Sequence, residues 1–156
     1  MANSYEVVLQ QVASGDLFEL LRAIEGSSKL LSDLALSEYI GAVSFENLNQ
    51  GLIEAIVSSG REICLTGRLH EFSASPNICL PFVLLRVVKY REGVDVEFSF
   101  DDNPLFDIGC VMSLMRIYCN DLLKRFYASE LYGGLEPAID VETRYFTGTI
   151  SGPLGL

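Results

Sequence analysis

Apolar residues recur at helical spacing through the first third of the chain. Leu17, Leu20, Leu21 and Ile24 share one helical face, Asp16 with Glu19 resembles a capping pair, and Gly26 supplies a stop. Leu30, Leu31 and Leu34 predict a second helical stretch. Phe45, Leu48, Leu52 and Ile56 predict a third, from about Ser44 to Ser58-Ser59-Gly60. Gly41 and Gly51 blur these boundaries.

The period then changes to two. Ile63, Leu65 and Leu69 alternate with Arg68 and His70, which predicts a strand over Arg61–Phe72 ended by the turn Ser75-Pro76-Asn77. Phe82–Tyr90 is rich in β-branched and aromatic residues, with Pro81 placed before the strand. Beyond the turn Arg91-Glu92-Gly93, Val94, Val96, Phe98 and Phe100 alternate with Asp95, Glu97 and Ser99. This is a hairpin over about 82–100 with one apolar and one acidic face.

Asn103-Pro104 reads as a cap and first helical position. The stripe Ile108, Val111, Met112, Met115, Cys119, Leu122 and Phe126 predicts a long helix over about 104–127, broken at Tyr132-Gly133-Gly134. Thr143–Ile150 is a further short strand. The expected fold is α+β: an N-terminal helical layer, an antiparallel sheet of three to five strands and the long helix packed on it, in a single domain over 1–156.

Composition sharpens this picture. The 156 residues are 49 % apolar and 21 % charged, with mean hydropathy +0.30 and net charge -10. A chain this size buries roughly 70 % of its unfolded surface, so charge does not imply disorder. A basic face for nucleic acid is missing. So is an apolar run long enough to span a membrane, and Met1–Gln11 is not a signal peptide. Residues 1–60 hold eight acids and two bases, and residues 61–156 hold thirteen and nine. Cys64, Cys79, Cys110 and Cys119 form no metal-type spacing and read as buried thiols in a reducing cytoplasm.

Candidate chemistry is sparse. His70, the single histidine, would lie ~20 Å along its strand from Cys64, which rules out that dyad and leaves a serine from elsewhere as the remaining partner. DDNPLFD lacks the glycine and the terminal glutamate of a calcium loop, so neither a metal nor a cofactor is expected. Arg86 pairs best across the hairpin with Asp95 or Glu97.

Three functions remain. The favoured one is a non-enzymatic acidic domain that masks a basic protein partner. Immunity proteins and antitoxins that plug a toxin have this size and charge. Its expected contact residues are Asp95, Glu97, Asp101, Asp102, Asp107, Glu130, Tyr132, Glu136, Asp140 and Glu142. Tyr132–Gly148 is either a binding loop or a packed segment. The second is a small carboxylate enzyme or ligand-binding domain using Asp101, Asp102 and Asp107 with Arg116 or Tyr118. The third is a homodimer or other homo-oligomer, suggested by the positive mean hydropathy.

Overall fold

A computed structural model of the chain describes residues 3–41 and 43–155. Eight strands form one antiparallel sheet: β1 Ser4–Gln10, β2 Leu30–Leu36, β3 Ile63–Ser75, β4 Ile78–Tyr90, β5 Gly93–Asp101, β6 Glu130–Leu135, β7 Arg144–Thr147 and β8 Ile150–Ser151. Three helices, α1 Leu17–Gly26, α2 Gln50–Ser58 and α3 Ile108–Leu122, complete the described secondary structure apart from two 3-10 turns. The strand order is β2-β3-β4-β5-β1-β6-β7-β8. The α+β class holds, while the sheet exceeds the expected three to five strands.

The helices cover one face of the sheet. Tyr5, Val7 and Leu9 of β1, Leu65 and Leu69 of β3, Val83, Leu85 and Val87 of β4, and Val94, Val96, Phe98 and Phe100 of β5 join the apolar stripes of all three helices in one buried cluster. Strand alternation sends every second residue of β1, β4 and β5 to the opposite face, which no helix among the described residues covers.

Several expected elements are corrected. The chain enters through a strand, not a helix: β1 is central, pairing with β5 through Ser4↔Asp101 to Leu9↔Val96 and with β6 through Tyr5↔Leu135 to Gln10↔Glu130. Leu30, Leu31 and Leu34 lie on strand β2. Asp33 there adopts φ 56° and the register to β3 shifts between Ser32 and Ala35, so the leucines lose their alternation and imitate a helical spacing. The helix expected from Ser44 starts at Gln50, because Asn49 caps it: its side chain accepts from Leu52 N at 2.8 Å and donates to the carbonyls of Ser44 and Asn47.

Asp16 immediately precedes α1, but its carboxylate accepts from Tyr127 N (3.1 Å) instead of capping the helix. The long helix is shorter than expected, 15 residues. Asp107, not Asn103, caps it by accepting from Cys110 N at 3.1 Å, while Asn103 closes a turn onto Leu105 N. Pro81 lies inside β4. It stands before the β5 pairing begins at Leu84, and its own position is skipped in the β3 register between Phe72↔Leu80 and His70↔Phe82, which is how the strand tolerates a proline.

Tyr132-Gly133-Gly134 does not break the chain but forms the middle of β6. A Cβ on Gly133 would lie 2.7 Å from the Phe146 ring, and one on Gly134 would meet the Thr143–Arg144 backbone. Glycine is required here so that β7 can pass closely. Thr143–Ile150 becomes the β7–β8 hairpin, with Phe146↔Ser151 and Thr147↔Ile150. All four cysteines are free, but only Cys119 is buried; Cys79 and Cys110 are exposed, correcting the expectation of buried thiols.

Candidate partner-binding face

The uncovered face is organised around Arg86. Its strand position places it directly opposite Glu97, and Nε meets Glu97 Oε1 at 3.0 Å, the cross-hairpin pairing expected from the sequence. Two further carboxylates converge on the same guanidinium. Glu136 Oε1 lies 2.7 Å from Nη2, and Glu6 Oε2 lies 3.5 Å from it. Ser99 Oγ donates to Glu136 at 3.3 Å. Three carboxylates thus share one cation, leaving the cluster net negative.

Glu6 is 6 % exposed, and burial is the largest influence on it. Desolvation raises its pKa above the ordinary 4.5. The Ala138 N–H, donating at 2.6 Å, opposes that rise, while Glu97 and Glu136 add to it. Arg86 helps Glu6 least because its short contacts go to Glu97 and Glu136. Burial also disfavours the Arg86 charge, but the bonds and charges of Glu136 and Glu97 outweigh it and raise its proton affinity.

The remaining acids of the face stand around this centre. Asp95 accepts from Gln11 N and from the Tyr90 hydroxyl, both at 2.9 Å. Burial, followed by that bond and the Asp95 charge, pushes the Tyr90 pKa up to about 12. Asp101 accepts from Ser4 Oγ at 2.8 Å. Glu130 sits opposite Gln10 and shares its face with Tyr132. Asp102 is exposed at the end of β5, and Asp107 lies at the α3 terminus, engaged as its cap.

Residues 136–143 cross part of the open face as a strap. Ala138 is fully buried against Val8 and Tyr132 in a small second cluster. Arg144 lies 4.0 Å over the Tyr132 ring, and its Nε donates to the Ala138 carbonyl at 2.8 Å. Tyr132 is therefore a support under the strap, and burial pushes its pKa to about 12. Asp140 and Glu142 are exposed on the strap, where Asp140 Oδ1 accepts from Glu142 N at 3.3 Å. Glu6, Arg86 and Arg144 were absent from the sequence-predicted contact set, although Ser4, Glu6 and Gln10 do alternate with Tyr5, Val7 and Leu9.

The groups expected for carboxylate catalysis do not converge. Asp101 and Asp102 line a hollow of about 310 Å³ with Pro81, Phe82, Asn103 and Pro104. Asp107 does not line it. Arg116 donates to the Gly148 carbonyl, and Tyr118 packs on Phe72 and Phe98 within the core. Ser32 is the serine that reaches His70, at 2.6 Å from Nε2. Asp33, however, holds the serine hydroxyl (3.0 Å) and not the imidazole, so no carboxylate orients the base as a triad would require. Among the described residues no three His, Cys, Asp or Glu side chains form a metal-holding group. Nor is any helix among them long and apolar enough to cross a membrane.

Comparison with known proteins fits this non-catalytic surface. Residues 3–150 match the model of the family described as PABL017 Cdi1I immunity protein. A chain in the crystal structure of the toxic C-terminal tip of CdiA from Pseudomonas aeruginosa in complex with immune protein is similar to this one. The two share 36 % identity and a TM-score of 0.92, with 99 % of each chain covered. No curated protein matches the chain. The chain belongs to the PABL017 Cdi1I immunity protein family, and is accordingly a non-enzymatic protein that binds and neutralises a toxin.

Proposed function

We propose that the toxin docks on the open face of the sheet and presents a basic surface to it. The observation that carries this reading is the Arg86 centre, where Glu6, Glu97 and Glu136 converge on one guanidinium. Asp95, Asp101 and Glu130 extend the negative field along β5 and β6, and Asp140 and Glu142 extend it over the strap. Asp102 lies at the rim. Such a field accelerates encounter with a positive partner and repels nucleic acid.

By likeness to the P. aeruginosa immune protein, whose crystal structure holds the toxic tip of a CdiA protein, we take the partner to be a toxic tip of that kind. The four free thiols support a cytoplasmic site of action.

Charge reversal at two exposed positions tests the docking face. Asp101→Lys with Glu130→Lys should slow association with a CdiA toxic tip about tenfold at low salt and flatten its salt dependence. Unchanged association kinetics and salt dependence would remove the open face from the interface.

A further inference from the structure

We infer that the strap, residues 136–143, is the element that grips the toxin, with Ile139 and Val141 as apolar anchors entering a toxin hollow rimmed by basic side chains. The inference rests on the toxin-neutralising reading and deepens it.

The strap is built to hold its backbone still. Ala138 is clamped from both sides: its N–H donates to the buried Glu6, and its carbonyl accepts from Arg144. Thr143 Oγ1 reaches back to the carbonyls of Pro137 (3.0 Å) and Asp140 (2.8 Å). Arg144 is itself fixed on the Tyr132 ring and by Thr147 Oγ1 at 2.9 Å.

On this clamped backbone Ile139 is 66 % exposed and Val141 59 % exposed. A single exposed aliphatic residue is ordinary. Here two stand within three residues on a segment whose order is fixed before any partner arrives, so little side-chain and loop freedom is lost on docking. Their setting also defines the partner. Glu136, Asp140 and Glu142 bracket them, and no Lys or Arg occurs between Arg125 and Arg144. An apolar pair inside an acidic rim fits an apolar hollow inside a basic rim. The strap also begins at Glu136, a member of the Arg86 centre, so anchors and acidic face form one surface.

The two contributions separate kinetically. Apolar anchors act on dissociation, and rim charges act on association. The test uses surface plasmon resonance with the CdiA toxic tip whose toxicity this chain suppresses on co-expression, the P. aeruginosa tip being tried first. Ile139→Ser with Val141→Ser should raise Kd at least thirtyfold, through faster dissociation, with salt dependence unchanged and thermal melting within the wild-type range. Ile117→Ser, at a residue 55 % exposed on α3 behind the sheet, should leave Kd unchanged. Wild-type dissociation rates in the Ile139/Val141 variant would overturn the inference while leaving the docking face intact. Failure of the wild-type chain to bind or suppress any tip would overturn the proposed function and this inference with it.

Discussion

The two faces of this sheet are made by the same strands and differ in nearly every physical respect. Under the helices, Val7, Leu69, Val87, Val96 and Phe98 are fully buried in one apolar cluster. On the other side Glu6, Arg86, Glu97 and Glu136 form a polar network that is mostly buried but keeps an edge open to solvent. Stability therefore resides mainly on one side, and the proposed recognition surface lies on the other, one residue apart along each strand. A substitution can move one property without the other, provided it respects the alternation.

Four changes would break or sharpen that division. The largest effect belongs to the covered face. Phe98→Ala removes a fully buried ring packed on Phe72 and Tyr118 and should cost about 3–5 kcal/mol in urea unfolding. The folded fraction should still bind toxin with wild-type affinity, and a parallel loss of affinity would argue against the division. Next is Arg86→Met, which leaves three carboxylates without their cation. Because Arg86 retains 25 % side-chain exposure, water screens part of the loss, and about 1–3 kcal/mol is expected. Unlike Phe98→Ala, it should also disturb the strap, so affinity and stability fall together.

Arg144→Lys is smaller in stability, about 1 kcal/mol, since the charge stays but the guanidinium over Tyr132 and its separate bonds to Ala138, Ile139 and Thr147 are lost. Hydrogen exchange at residues 136–143 should quicken while the core strands stay protected. The smallest effect is that of Glu6→Gln. The Glu6 pKa is raised on folding, so the ionised carboxylate disfavours the folded state. The contribution of this group is fully favourable below its unfolded value of 4.5 and declines as pH climbs through the folded value. The glutamine variant should match wild type near pH 4 and gain on it toward neutrality. The opposite trend would show that Arg86 dominates Glu6.

The same alternation governed how much of the molecule was legible in the sequence. The β3–β5 meander could be read directly, because Val94, Val96, Phe98 and Phe100 keep a strict period of two and face one layer of helices. β2 could not, because the Asp33 irregularity scrambles its period. β6 was hidden by Gly133-Gly134, whose reason for being glycine is a contact with residues nine and more positions downstream. Within the site, acidic character was readable and its organisation was not. Asp95, Glu97 and Asp101 announce an acidic hairpin face, but nothing local says that Glu6 and Glu136 will meet on Arg86 from 80 and 50 residues away. The sequence leaves Tyr132–Gly148 open between binding loop and packed segment; residues 136–143 pack through Ala138 and turn Ile139 and Val141 outward.

The central position of β1 has a consequence for how the protein comes into being. Ser4–Gln10 are synthesised well before their partners β5 and β6, which end at residues 101 and 135. A strand flanked by neighbours that are this remote in sequence cannot be paired during most of synthesis, and closing such long loops is slow. The β3–β4–β5 meander can form early through neighbouring turns, whereas Glu6 reaches the Arg86 centre only when β1 is inserted. The strap lies beyond residue 135, so it can seat on the open face only after β6 has been made. Formation of the open face then lags synthesis of the β3–β4–β5 meander by the time of one slow strand insertion.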